Sequence, residues 1–184
     1  MARISHNIVI DGLLGSLGKQ LILKHDRAGR TIISLKPQFD PNRVFTPAQK
    51  AQQNAFREAV AYAGSAQTNP LYIKKAAGTL RTPYNIAVSD WFHAPEILDI
   101  IIDAYTGAPG QPIRVKAIDD VKVTSVTILI TDETGALIEQ GPATQLDRLT
   151  WKYTTTVAAP CLQPTIQAAV QDLPGHTTTM EKVK

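Results

Sequence analysis

The first apolar pattern along the chain is a pair of short alternating runs at residues 20–24 and 31–35, joined by a polar loop. Gly29 lies late in this loop, where one residue of a hairpin connection often needs a positive φ. The pattern therefore predicts a β-hairpin. A weaker alternation of isoleucine and valine over residues 5–10 predicts a short strand before it.

The predicted hairpin carries apolar side chains on both of its faces. Leu21 and Leu23 point to one face and Ile22 to the other, because successive side chains of a strand alternate. A two-stranded hairpin alone is marginally stable in water, so a further layer must cover it. We expect a second copy of the chain to contribute to that layer. The residues expected in this self-assembly interface are Ile8, Ile10, Leu21, Ile22, Leu23, Ile32, Ile33 and Leu35.

Helical periodicity begins after a proline-containing linker at residues 36–45. Thr46 and Gln49 have the spacing of a capping box, and Pro47 between them suits the first helical position. Alanines at intervals of three and four residues continue the helix towards residues 64–67. Small side chains at this spacing predict a helix that packs closely against a neighbour.

Two shorter helices are predicted downstream, each opened by a polar residue that is followed by proline. Asn69 starts the second helix and Thr82 the third, which Pro95 ends. The connections between the three helices are short. We expect these helices to pack on the hairpin, which gives an N-terminal domain of residues 1–95.

The hydrophobic spacing changes to a period of two in residues 96–184, which form the predicted second domain. Turn residues separate seven strand candidates, at 97–105, 113–118, 121–131, 136–142, 149–157, 165–170 and 177–183. Seven short strands at this spacing favour a β-sandwich of the immunoglobulin type. Trp151 and Tyr153 share one face of a strand and are predicted to form its aromatic core. The predicted fold class is therefore α+β: a hairpin with three helices, followed by a seven-stranded sandwich.

Four segments of the second half carry a resemblance to a known family: PIRVKAIDD at 112–120, VTILITDETG at 126–135, WKYT at 151–154 and AVQDLPGHT at 169–177. Together they resemble a bacterial Ig-like domain, in whose final turn an Asn is common where this chain has His176. The resemblance implies the sandwich fold and no particular activity. Residues 1–95 also resemble uncharacterised bacterial proteins that pair a glycine-rich hairpin with a helix reading TPAQ…FREAVAYA, and this implies no activity either.

Composition narrows the class of protein further. The chain has 184 residues, of which 43% are hydrophobic and 19% charged, as in a folded globular protein. It lacks an apolar run long enough to span a membrane, and its first 20 residues make a poor signal peptide. The compartment stays open, including an extracellular or cell-surface location reached without a cleaved signal. Cys161 is the single cysteine, which excludes an internal disulfide and a cysteine-based zinc site.

The formal net charge of +3 is unevenly distributed. Residues 1–95 contain 12 Lys and Arg against 5 Asp and Glu, a net +7, whereas residues 96–184 contain 7 against 11, a net −4. Such a split is typical of a nucleic-acid-binding half, but it also suits a contact between the positive end of one copy and the negative end of the next. The basic residues of the hairpin region are Lys19, Lys24, Arg27, Arg30 and Lys36.

Candidate chemistry is sparse. Ser89, Asp90 and His93 lie close together on the third helix, but the sequence nearby provides neither an orienting group nor an oxyanion site for nucleophilic catalysis. We therefore expect an exposed helix end here, and no enzyme activity or cofactor in the chain.

Acidic residues in two predicted turns are weak calcium candidates. A sandwich brings the loop with Asp119 and Asp120 and the loop with Asp172 to one end, where their carboxylates can begin a Ca²⁺ site. Aspartate also favours turns for its own backbone hydrogen bonds, and this explains the same residues without a metal.

These observations predict a non-enzymatic structural protein that self-assembles through its N-terminal strand and hairpin into a homo-oligomer or polymer such as a fibre, filament or sheath. Two alternatives stay open. One is an Ig-like adhesion or ligand-binding module that uses the loops of the second domain. The other is a nucleic-acid-binding protein that uses the basic hairpin, since two-stranded ribbons can enter a groove of DNA.

Overall fold

The computed structural model describes residues 2–4, 13–18, 20–160 and 163–184. In these residues the chain forms three helices and three four-stranded antiparallel sheets, which confirms the α+β class. Contacts within the chain divide it into two units, and each is described by itself. The first unit contains Met1–Phe56 with Gly78–Arg81, and the second contains Arg57–Ala77 with Thr82–Lys184.

The first unit is built on a four-stranded sheet with the order β1-β4-β3-β2. Its strands are β1 (Ala2–Ile4), β2 (Gly15–Leu17), β3 (Leu21–His25) and β4 (Thr31–Leu35). β3 and β4 pair from Leu21 opposite Leu35 to His25 opposite Thr31, within a residue of the predicted hairpin. The strand predicted at residues 5–10 lies outside the described residues.

The hairpin loop is organised by one aspartate. Asp26 accepts hydrogen bonds at Oδ1 from the backbone N–H groups of Ala28 and Arg30, each at 2.9 Å, and at Oδ2 from Arg30 Nε at 2.6 Å. Gly29 has a φ of 73°, so the predicted positive φ at this position is confirmed. The hydrogen bonds from Arg30, first from its side chain and then from its backbone, lower the pKa of Asp26.

Three helices follow, and polar caps start them where the sequence predicted. They are α1 (Pro47–Ala66), α2 (Pro70–Ala76) and α3 (Pro83–Trp91). Thr46 and Gln49 exchange the two hydrogen bonds of a capping box, at 3.1 and 3.2 Å. Asn69 and Thr82 cap α2 and α3 by accepting 3.0 Å bonds from Leu71 and Asn85 N–H groups.

The helices are grouped differently from the expectation that all three pack on the hairpin. The second half of α1 belongs with α2 and α3 to the second unit. There Tyr72 of α2 and Ile86 of α3 are buried in a small core that also contacts Val121 and Leu173, from two loops of the C-terminal strands. These loops cover the apolar faces of α2 and α3. The spacing of apolar residues within the helices does not show which element covers them.

The C-terminal part of the second unit forms a β-sandwich-like body of two sheets, ordered β5-β6-β10-β9 and β12-β11-β7-β8. Its strands are β5 (Glu96–Ile101), β6 (Pro112–Ile118), β7 (Ser125–Thr131), β8 (Leu137–Pro142), β9 (Thr144–Gln145), β10 (Thr150–Thr154), β11 (Thr165–Gln171) and β12 (Thr177–Val183). Alternate residues of β6, β7 and β11 are buried in one common core. Trp151 and Tyr153 belong to this core, as predicted.

Each of the seven predicted C-terminal strands has a counterpart, and the differences lie at their ends. The strand predicted from residue 121 begins at Ser125, because Asp119 bends the preceding backbone: its Oδ2 accepts from the N–H groups of Val121 and Lys122 at 2.9 and 2.7 Å. The two-residue strand β9 was not predicted. It continues β8 into the other sheet through Ala143, whose N–H donates to Val126 at 2.8 Å.

Candidate assembly surface and a buried acidic cluster

Strand register in the first unit gathers leucine and isoleucine on one face of the sheet. Leu17, Leu21 and Leu35 are neighbours across β2, β3 and β4, and Leu23 pairs with Ile33. These five residues are called the apolar face below. It contains four of the predicted interface residues together with Leu17, which the sequence analysis did not include.

The apolar face is unevenly covered. Leu23 is buried, and Leu21 and Ile33 are partly buried. In contrast, Leu35 is 77% exposed and Leu17 is 56% exposed. Leu21 lies between these two leucines in the register, so the three form a hydrophobic patch that is exposed at Leu17 and Leu35.

The opposite face of the same sheet is mixed rather than apolar. Ile22 lies between Ser16 and Ser34 in the register, and Ile32 is opposite Lys24. The predicted two-sided hydrophobic character therefore reduces to two partly buried isoleucines on this side. Two other predicted interface residues, Ile8 and Ile10, lie outside the described residues.

Strand β2 is the outermost of the described strands in this sheet. It is the last strand in the order, and all three of its residues are exposed. Directly before it, Leu13 and Leu14 are 47% and 66% exposed. β2 carries none of the charges or prolines that usually protect an edge strand from pairing with another chain. A signal for this edge was present in the sequence GLLGSLG at 12–18, where uncharged leucines stand between glycines at every third position.

Two features link the two sheets at the sides of the sandwich. On one side the chain itself passes from β8 to β9, as described above. On the other side Lys182 of β12 donates from Nζ to Asp99 Oδ1 at 3.2 Å and to the carbonyl oxygen of Ile100 at 2.6 Å, both on β5. β12 thus carries charged side chains of the kind that protect an edge strand, and β2 carries none.

The basic hairpin residues have different surroundings. Arg30 is paired with Asp26 in the loop, whereas Lys24, Arg27 and Lys36 are exposed. Lys19 lies outside the described residues. The sequence of the first unit contains 9 Lys and Arg against 3 Asp and Glu, a net +6, and that of the second contains 10 against 13, a net −3.

The three calcium candidates do lie at one end of the sandwich, but backbone and histidine groups already contact their carboxylates. Asp172 Oδ1 accepts from the N–H groups of Gly175 and His176, both at 2.7 Å. Asp119 holds its own loop, as described above, and Asp120 Oδ2 lies 2.8 Å from His93 Nδ1. In the part of the chain that the structure describes, no group of three or more acidic, histidine or cysteine side chains is placed to hold a metal ion.

A buried chain of hydrogen bonds lies beside these loops and was not predicted. Tyr72 donates to Asp90 Oδ2 at 2.6 Å, and the hydroxyl oxygens of Tyr62 and Tyr72 are 2.7 Å apart. Asp90 is 1% exposed. Burial, together with the negative charges of Asp119 and other nearby aspartates, raises the pKa of Asp90 to about 6, against the opposing hydrogen bond from Tyr72. The sequence signal was a charged residue on the apolar side of α3.

Ser89, Asp90 and His93 are not joined in one group, because their side chains have different surroundings. Asp90 is engaged with Tyr72, and His93 is engaged with Asp120. Ser89 is partly exposed on the same helix. Cys161 lies outside the described residues.

Comparison with known proteins gives two distant structural similarities. The CopC of Methylosinus trichosporium OB3b shares 18% sequence identity, with a TM-score of 0.37, over 48% of this chain and 89% of that one. A lipoprotein from Bacteroides thetaiotaomicron shares 15% identity, with a TM-score of 0.27, over 50% of this chain and 77% of that one. No family model and no curated protein match the chain. Among the described helices, none has the length and hydropathy required to cross a membrane.

Proposed function

We propose that this protein is a non-enzymatic structural subunit that self-assembles through its N-terminal sheet. In this proposal a second copy pairs with the outer strand β2 and covers the exposed leucines of the apolar face. The observation that carries the proposal is an outer strand, β2, without protecting charges, combined with Leu17 and Leu35 in the sheet and Leu14 just before it, each more than half exposed.

Strand addition explains how such a contact gains both affinity and register. The unpaired backbone groups of an edge strand bind a neighbouring strand through main-chain hydrogen bonds, and alternate side chains select the partner. Covering a leucine side chain removes apolar surface from water and stabilises the contact by roughly 25 cal/mol per Å². A second copy satisfies both the edge and the leucines at once.

The distribution of charge favours a head-to-tail arrangement. The first unit carries a net +6 and the second a net −3, so the first unit of one copy attracts the second unit of the next. A heterologous contact that does not close into a ring generates a filament. The proposed assembly is therefore a polar fibre, filament or sheath.

The sandwich is proposed to be an Ig-like domain that the assembly displays. Support comes from its seven longer strands and from the segments that resemble bacterial Ig-like domains. If loops of this domain bind a ligand, the chain acts as an adhesion module instead, and residues 97–184 alone retain the binding. That alternative makes no use of the exposed leucines in the first unit.

A pair of matched leucine substitutions tests the proposal. Leu17→Lys places a charge on the apolar face in the outer strand β2, and we expect it to reduce assembly by at least tenfold, which corresponds to roughly 1.4 kcal/mol. Leu137→Lys is the control, because Leu137 is similarly exposed, at 61%, on the sandwich. The measurement is the size distribution in analytical ultracentrifugation over a range of protein concentrations.

The outcome separates the alternatives. If Leu17→Lys assembles as the wild-type protein does, the N-terminal sheet is not the assembly surface. If the protein instead binds DNA or RNA with an affinity that falls steeply with salt, the exposed Lys24, Arg27 and Lys36 are contacting phosphates. In that case replacement of these three residues by Ser abolishes binding, and Leu17→Lys leaves it intact.

A further inference from the structure

We propose that α2 and α3 are docked on the two acidic loops of the sandwich through a protonated Asp90, which makes this junction a pH-sensitive latch. The proposal concerns the second unit alone and is independent of the assembly surface. It rests on a buried carboxyl group, on the hydrogen bonds that reach it and on the charges that face it.

The contacts around Asp90 connect three helices. Tyr72 uses its only hydroxyl proton to donate to Asp90 Oδ2, so Tyr62 must donate to the Tyr72 oxygen at the second contact. This chain runs from α1 through α2 to α3. The other oxygen, Asp90 Oδ1, is buried and has no hydrogen-bond partner among the described protein groups. A proton on Oδ1 makes the carboxyl neutral and leaves the bond from Tyr72 in place.

The groups that face Asp90 from the sandwich are predominantly acidic. Asp119 and Asp120 lie on the loop after β6, and Asp172 lies on the loop after β11. All three charges raise the free energy of the ionised Asp90, and Asp119 contributes the most among them. Asp119 Oδ1 is also buried without a hydrogen-bond partner among the described groups. Nearby negative charges of this kind disfavour the ionised form of Asp90.

Two histidines contact the other two of these aspartates. His93 Nδ1, just after α3, is 2.8 Å from Asp120 Oδ2, and His176 Nδ1 is 3.2 Å from Asp172 Oδ2. The ring of Trp91, the residue after Asp90, packs edge-on against His176 with centroids 5.2 Å apart. Among the three aspartates, Asp119 has the strongest effect of charge on Asp90.

The direction of the pH effect follows from the sign of the shift. A carboxyl group with a pKa of about 6 in the folded state, and near 3.8 when unfolded, binds more protons folded than unfolded between these values. The docked state therefore loses stability as pH rises from about 4 to above 6. Over the interval from pH 5 to pH 7, the opening equilibrium of the helix pair increases about tenfold.

Amide hydrogen exchange of the full chain tests this effect. Protection factors for α3, corrected for the intrinsic exchange rate, should fall about tenfold between pH 5 and pH 7 in the wild-type protein. In Asp90→Asn, which keeps the shape and cannot ionise, we expect this dependence to disappear. His93 and His176 are present in both proteins, so the difference between them isolates the Asp90 carboxyl group.

Two further measurements keep the proposal falsifiable if Asp90→Asn folds poorly. The carboxyl carbon of Asp90 in the wild-type protein should titrate by NMR near pH 6, and in Tyr72→Phe above that, since the hydrogen bond from Tyr72 lowers the pKa. Asp103→Asn removes an exposed carboxyl group and should keep the wild-type profile. The proposal is overturned if the Asp90 carboxyl group titrates with a midpoint near pH 4. It is also overturned if hydrogen exchange in wild type and in Asp90→Asn changes equally with pH.

Discussion

At the scale of single residues, Glu139 shows how a buried charge can be satisfied without a cation. Its Oε1 accepts from Tyr153 Oη at 2.6 Å, from Thr156 N at 2.7 Å and from Thr156 Oγ1 at 2.6 Å, and its Oε2 accepts from Val157 N at 3.3 Å. Burial alone raises the pKa of Glu139, but these hydrogen bonds outweigh it and the net pKa is lowered. The same contact raises the pKa of Tyr153 to about 12, after the larger effect of burial. Glu139 thereby anchors the chain after β10 to β8.

Replacement of Glu139 by Gln should therefore reduce stability in a pH-dependent way. We expect a loss of about 1–3 kcal/mol at neutral pH, where the carboxylate is fully ionised. Because its folded pKa is lowered, the wild-type advantage is present above the unfolded pKa and declines as pH falls through the folded value. Denaturant unfolding at pH 7 and pH 3 checks this, and an equal loss at both values contradicts it.

Gly141 is a second residue with a specific packing role. A Cβ atom placed on it lies 2.6 Å from Cε2 of the Tyr153 ring and 2.9 Å from its hydroxyl oxygen. Gly141→Ala should push Tyr153 away from Glu139 and cost about 1–3 kcal/mol. Gly64→Ala is the matched control, because nothing lies within 4 Å of its Cβ and alanine favours helices, so stability should rise by up to about 1 kcal/mol. Thermal unfolding of both variants measures the expected loss of stability in Gly141→Ala and the expected gain in Gly64→Ala.

At the scale of elements, the sequence predicted those features whose hydrogen bonds join residues close together in the chain. The capping pattern at Thr46 and Gln49 predicted the start of α1 because both hydrogen bonds of the motif are made within four residues. The sequence did not reveal which element covers α2 and α3, since Val121 and Leu173 contact them from loops far along the chain. The buried position of Asp90 followed from that docking and was missed for the same reason.

The cap of α3 provides a prediction at this scale. Thr82→Ala removes the side-chain oxygen that accepts from Asn85 N–H, and we expect a loss of about 1 kcal/mol. Thr82→Ser preserves the oxygen and should restore most of that stability. Denaturant titration followed by circular dichroism measures both variants. If alanine and serine give the same midpoint, the cap contributes nothing to the stability of the unit.

Calcium binding by the two acidic loops is also an element-scale question. The carboxylate oxygens of Asp119 and Asp172 accept two backbone hydrogen bonds each within their own loops. Because those bonds occupy them, we expect millimolar calcium to leave the thermal midpoint unchanged. A rise of several degrees that EDTA reverses would show instead that these loops rearrange around the ion, since a bound ligand stabilises the folded state.

At the scale of the whole molecule, the sequence predicted which segments form helices and strands better than it predicted which elements pack against one another. Period-two spacing located the sandwich strands, since burial on one side of a strand is visible in the order of its residues. The exposure of Leu17 and Leu35 depends on which residues cover the sheet. Those residues can come from distant parts of the chain or from a second copy, so no local pattern predicts the exposure. The central claim is accordingly one about assembly between molecules.

The most direct test of that claim is the size of the full-length protein as a function of its concentration, measured by sedimentation velocity and by electron microscopy. We expect large, concentration-dependent species with a filamentous form, and a monomer after deletion of residues 1–18, which contain β2 and its neighbouring leucines. A full-length chain that stays monomeric at high concentration contradicts the account.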